Sequence, residues 1–443
     1  MNRGVYTLAL RALAPLIWLW MAHRARRAGG RWEIFSPERF GRVGPLSEPS
    51  SQPSQVAYLI PSENPSALPY AAPVWVHAVS LGETRAALPL LNALLDRGLP
   101  VLLTHMTATG RAEGERLFQD AIARGQLRQA WLPYDFPGAT RRFMAAHRPR
   151  CGLLMEREIW PNLLAAARQA RVPMALVSAR YSESSLRQAR RMGGVMREAL
   201  AGLDIVLAQT AEDAGRLAQA GAPAAQVTGN LKFDLVLPPA QVQAGRAWRA
   251  QLGRRVVAVA STREGEDAPF LDAIKRHAAA PDAPLFLLIP RHPQRFDEAA
   301  RLLTDAKLAF VRRSAGTAPA PQAAVLLGDT LGEMAFYYAA SDVAIVAGSF
   351  APLGGQNLIE ACAAGVPVIV GPHTFNFKQA ADDAIAAGAV RRAEHEGAAV
   401  DAAMALLADA ARREAMGAAA AQWFRSHAGA TARTMQALDG LLR

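Results

Sequence analysis

Two cysteines in 443 residues, Cys151 and Cys362, allow at most one bridge, which excludes a disulfide-framed secreted scaffold. They read as two buried thiols in a reducing cytoplasm. The chain also lacks a G-x-x-x-x-G-K-[ST] loop, a G-x-G-x-x-G turn, an H-E-x-x-H helix and a C-x-x-C pair. P-loop ATPase, ordinary dehydrogenase and zinc hydrolase readings thereby lose their main support. Charged residues make up 20% of the chain against 51% hydrophobic, the balance of a globular protein and not of a disordered one. Long apolar runs are absent except for one, Val5 to Ala22, and Arg11 and Pro15 interrupt it.

The net charge is +11, and its placement matters more than its size. Residues 1–44 hold Arg3, Arg11, Arg24, Arg26, Arg27, Arg31, Arg39 and Arg42 against Glu33 and Glu38, so this short piece carries +6 of the total. The excess sits beside the apolar run, which favours an anionic lipid surface and no nucleic-acid partner. No small-x-small cleavage site follows the run, so a removed signal peptide is disfavoured. Two placements remain open: a single weak span, or a helix lying in the interface with Trp18 and Trp20 at headgroup depth. In both, the arginines that follow put the rest of the chain on the cytoplasmic face.

The length predicts two domains. Residues 45–73 are rich in Ser, Pro and Gln and read as a flexible linker. Apolar runs alternate with helical stretches on either side of a break at Pro238-Pro239: WVHAVS, VLLTH, CGLLME, PMALVS and IVLAQT first, then VVAVAS, LFLLIP, VAIVAG and PVIVG. Such alternation predicts an α/β protein of two doubly wound, Rossmann-like domains facing a cleft, 74–237 and 238–425, with a C-terminal helix at 426–443 returning to the first. The membrane segment 1–44 lies outside both predicted cores, so a chain beginning near Val74 is expected to fold.

Chemistry concentrates where these strands end. After the strand Asp342 to Val346, a loop with Gly348, Ser349, Gly354 and Gly355 leads to a helix predicted to open at Gln356-Asn357, with Glu360 in its first turn. Glycines admit a ligand to the backbone, a helix start offers N–H groups to a phosphate, and a carboxylate accepts from a ribose hydroxyl, so the C-terminal half reads as nucleotide-binding. In the first half, Glu83 follows WVHAVS in a helix start, a place a carboxylate also takes merely to complement the dipole. Glu156 and Glu158 leave their strand together, either with raised pKa values or as a solvated loop paired with Arg157 or Arg180. Lys232 in GNLKFD and Arg291-His292 in PRHPQRF suggest anion handling. No Asp-x-Asp pair is present, so a sugar-nucleotide enzyme built this way needs no metal and offsets phosphate charge with dipoles and cations.

Taken in order, WVHAVSLGE, MEREIWPN, VSARYSESS, GNLKFD, ASTREGE, PRHPQRF, LGDTLGE, GSFAPLGGQNLIE and GPHTFNF resemble the 3-deoxy-D-manno-octulosonic acid (Kdo) transferases of Gram-negative lipopolysaccharide biosynthesis. The resemblance implies a GT-B-type fold and an inner-membrane enzyme. It implies metal- and cofactor-independent, inverting transfer of Kdo from CMP-Kdo to the glucosamine disaccharide of a lipid A precursor. Carried over by residue, Glu83 is the general base, and Glu156, with Glu158 as rival, pairs with Lys232 to support the transition state. Arg291, His292, Gly332, Glu333, Met334, Ser349, Gly355, Asn357, Leu358, Ile359 and Glu360 would hold CMP, with the Gly348–Gly355 loop facing its phosphate. Four positions depart from the pattern: Arg263 stands for a His, Ala347 for a Gly, Gln356 for a His and Ala361 for a Pro.

Overall fold

The computed structural model describes residues 1–28, 32–42, 72–280 and 282–443; almost all of the expected linker 45–73 lies outside them. The chain divides into two compact units, Met1–Leu235 with Gly429–Arg443, and Val236–Ala428.

The first unit is built on seven parallel strands: β1 (Val74–His77), β2 (Val101–His105), β3 (Leu127–Trp131), β4 (Cys151–Met155), β5 (Met174–Ala179), β6 (Ile205–Ala208) and β7 (Gln226–Val227). They lie in the order β3-β2-β1-β4-β5-β6-β7. The second has β8 (Val256–Thr262), β9 (Leu285–Pro290), β10 (Phe310–Arg312), β11 (Val325–Leu327), β12 (Val343–Val346), β13 (Val368–Val370) and β14 (Val390–Arg392), ordered β10-β11-β9-β8-β12-β13-β14. Strands covered by helices on both faces must be apolar throughout, which is why β1, β4 and β8 are buried at every residue. The strands that sequence reading missed are β3, β7, β10, β11 and β14. Four of them are two or three residues long, and β3 interleaves Arg128 and Gln129 with its buried positions. In each sheet the order changes direction beside the unit's first strand, between β1 and β4 and between β8 and β12. Crevices for ligands open beyond the carboxyl ends of strands at such points.

Residues before the first strand are not an appendage. The helix Arg3–Ala28 docks through the Tyr6 hydroxyl, which donates to Asp135 at 2.9 Å, and through Thr7, 3.1 Å from the Asn162 amide. Trp18 lies against Phe40, Tyr134 and Phe136, while Met21 and Trp32 are buried. Arg39 is fully buried: its guanidinium donates to the carbonyls of Glu33, Trp32 and Met106 and stacks 4.1 Å from the Trp131 ring. Burial lowers it to about 10, still charged at neutral pH. Trp131 in turn donates its indole N–H to Glu33 and its backbone N–H to Glu38. Two expectations are thereby corrected: this segment contributes core to the first unit, and Arg39 does not face lipid. Isolated aromatics and an arginine satisfied by carbonyls leave no periodic signal to read.

The helix Ala430–Leu442 belongs to the first unit, and the Asp234 carboxylate accepts from Gly429 N–H at 2.6 Å and from Thr431 N–H at its start. In the second unit, Gly245 on the helix Pro239–Leu252 meets the helix Met334–Ala339 so closely that a Cβ there would sit 2.4 Å from the Phe336 carbonyl oxygen. Gly245→Ala is therefore expected to destabilise this unit by about 1–3 kcal/mol, the usual cost of overpacking. Urea unfolding monitored at Trp248 checks this, and an unchanged midpoint would mean that the helices part freely.

Candidate active site

The helix Leu81–Asp96 starts immediately beyond β1, and Glu83 is its third residue. Its Oε2 reaches back to accept from the Val79 N–H at 2.6 Å, so the structural role of a first-turn glutamate is present. The carboxyl is half-buried, and burial first, then the Glu158 and Glu156 carboxylates, push it up to about 8. β4 delivers those two across the reversal of strand order. Glu156 has φ 54, a left-handed backbone that a non-glycine residue adopts at a cost of order 1–3 kcal/mol, and such strain gathers at working sites. Its Oε1 is 2.7 Å from Lys232 Nζ, carried by the short 3-10 helix Leu231–Asp234. The Asn230 side chain fixes that turn by accepting from the Lys232 N–H at 3.0 Å.

Glu158 Oε2 accepts from the Trp160 indole at 3.0 Å, and burial pushes this carboxyl up to about 7. Behind it lies His77, fully buried on β1. Its Nδ1 is 3.1 Å from the Thr104 carbonyl and 2.9 Å from the Thr104 hydroxyl. Nε2 faces Glu158 at 3.9 Å with no hydrogen-bond partner among the described residues, and burial pushes the imidazole down to about 3, so it is neutral. The first unit thus brings Glu83, Glu156, Glu158 and Lys232 into one group: three carboxyls, one ammonium and a neutral imidazole behind them.

In the second unit, Arg291 and His292 leave β9, the Arg291 N–H bonding the Thr262 carbonyl at the end of β8. Burial, then Arg263 and Arg291, push His292 down. Asn357 Nδ2 donates to Glu360 at 3.0 Å, and its Oδ1 accepts from the Ile359 N–H at 3.1 Å. Glu360 and Arg291 both act electrostatically on the buried Tyr338 hydroxyl. Glu333 is held by Arg313 at 2.8 Å and by the Thr330 hydroxyl, while Gly332, at φ 81, offers its carbonyl to Gln241. Leu358 and Ile359 are buried apolar residues, and Met334 opens its helix.

Two features differ from the sequence reading. The helix opens at Ile359, not at Gln356-Asn357, because Asn357 turns back onto the Ile359 N–H, and it is only the five residues Ile359–Ala363. In the loop after β12, several N–H groups are taken up within the protein. Gly348, Phe350 and Ala351 donate to Glu266, Gly355 donates to the Gly348 carbonyl, and the buried Ser349 hydroxyl donates to Val346 and accepts from Gly371. Glu266 stands in ASTREGE, a candidate strand-end loop in the sequence, and His77 in WVHAVSLGE, but neither side-chain contact leaves a pattern there.

Two seven-stranded parallel sheets, one in each half of the chain, give a GT-B-type fold. A glycosyltransferase from Rickettsia africae shares the fold with a TM-score of 0.57 over 84% of this chain and 100% of that one, at 12% identity. Residues 318–423 match the glycosyl transferases group 1 family, and residues 36–235 match the family described as 3-deoxy-D-manno-octulosonic-acid transferase (kdotransferase). The 3-deoxy-D-manno-octulosonic acid transferase of Bordetella pertussis is 68% identical over the whole of both chains. That of Haemophilus influenzae is 33% identical over 69% of this chain and 72% of its own. The chain belongs to the Kdo transferase family.

Proposed function

We propose that the chain moves Kdo from CMP-Kdo to the glucosamine disaccharide of a lipid A precursor, with inversion, and that Glu83 is the base. The observation that carries the reading is the Glu83 carboxyl, half-buried where the strand order changes direction, with burial pushing it up to about 8, within reach of a working pH. As the acceptor oxygen attacks the anomeric carbon, its proton passes to Glu83 and CMP departs. Lys232, held by Glu156, places a fixed cation for the carboxylate of the acidic sugar.

On the donor side, Arg291 and His292 meet the CMP phosphate, and Gly332, Glu333, Met334 and the Asn357–Glu360 turn hold the nucleoside, Glu360 accepting from the ribose. Ser349 and Gly355 act as struts of their loop. No metal is needed in this scheme. The helix Arg3–Ala28 turns Val5, Leu8, Leu16, Leu19 and Trp20 outward while its other side is docked, which suits a helix lying along the cytoplasmic face of the inner membrane among anionic lipids.

Labelled-product analysis with CMP-Kdo generated in place and a tetra-acylated disaccharide acceptor tests the reaction. CMP is expected to raise the melting temperature more than UDP does; a preference for UDP overturns the donor assignment.

A further inference from the structure

At the point where the second sheet reverses, between β8 and β12, backbone N–H groups converge on one spot. In sheets of this kind that is where a glycine-bearing turn grips the pyrophosphate of a dinucleotide. Gly348, at φ 69, bends the chain so that its own N–H and those of Phe350 and Ala351 point inward, and the N–H of Arg263 points in from the β8 side. The seat is already taken. Oε2 of Glu266 accepts from Gly348 at 2.7 Å and from Arg263 at 2.9 Å; Oε1 accepts from Phe350 at 2.9 Å and from Ala351 at 3.2 Å. Glu266 is fully buried, and among the described residues no Lys, Arg or His lies within ion-pair distance of it. Four N–H dipoles alone carry its charge, as they would carry a bound anion.

We propose that Glu266 is a specificity-determining residue for the donor: its carboxylate fills the seat a second phosphate would need, so the unit takes a sugar nucleotide with one phosphate and refuses one with two. The inference deepens the cytidylate reading above and rests on it. A single phosphate is then served by the side chains of Arg263, Arg291 and His292 at the ends of β8 and β9. Arg263 itself is paired with Glu264 at 3.0 Å, so that group is not an unbalanced cluster.

The test uses the full chain and three probes: CMP, CDP and sodium formate, a carboxylate small enough for the seat. Glu266→Ala is expected to melt lower than wild type and to regain part of the loss in formate, to which wild type is indifferent. Its CDP-to-CMP affinity ratio should rise at least tenfold. Glu266→Gln, of the same size, turns a donor amide toward N–H groups; it should also melt lower, yet formate should not restore it because the side chain still fills the seat. Formate acting alike on wild type and Glu266→Ala, or a ratio changed by less than tenfold, overturns the proposal. The formate readout does not depend on the nucleotide, so failure of the cytidylate reading shows separately, as wild-type protein that ignores CMP.

Discussion

Glu83→Gln is expected to lower kcat by about 10²–10⁴-fold while the KM for the acceptor changes little, the range general-base catalysis contributes. The substitution keeps the shape and leaves an oxygen to accept from Val79, so the helix start survives and only basicity is lost. The pH dependence gives a second handle. The base is protonated below about 8, so the wild-type rate should fall as pH drops through that value, and the variant's residual rate should lack this limb. The sign for stability runs the other way from a paired carboxylate. Folded Glu83 keeps a proton that the unfolded chain releases above about 4.5, so its contribution is present at low pH and is lost as pH rises toward 8. Above pH 8 the glutamine variant should therefore melt higher than wild type. A wild-type transfer rate in Glu83→Gln ends the assignment.

Removal of residues 1–73 is expected to abolish soluble, folded protein. Met21 and Trp32 are buried by this segment and Phe40 is partly so, each worth about 1.5–3 kcal/mol in a hydrophobic contact. Their loss, with the Arg39 hydrogen bonds gone and Trp131 stripped of both carboxylate partners, approaches the whole stability of an ordinary domain, about 5–15 kcal/mol. Size-exclusion chromatography and near-ultraviolet dichroism would decide the matter: a monomer with a native melting transition would show the segment to be dispensable.

Where side chains face helices on both sides, the sheet writes itself into the sequence. The runs that became β1, β2, β4 to β6, β8, β9, β12 and β13 were legible for that reason, and with them the α/β class. SLGE and MEREIWPN were legible as a pair because they leave strands that the sheet order makes neighbours, whereas GNLKFD follows the edge strand and joins them through the Lys232 side chain. What stayed hidden was long-range bonding of side chain to backbone. Glu266 reaches partners 82 to 85 residues away, and Arg39 reaches Met106 across 67, contacts that no local period records. The same Glu266 contacts take up three N–H groups of a loop that reads as an open phosphate grip.

Cys151 sits buried in the first unit and Cys362 in the second, unpaired, each thiol pushed up by burial to about 12. Thiols so placed stay inert until their surroundings open. Each half of the chain accordingly holds a single built-in chronometer, and alkylation followed by peptide mapping times the loosening of one half independently of the other.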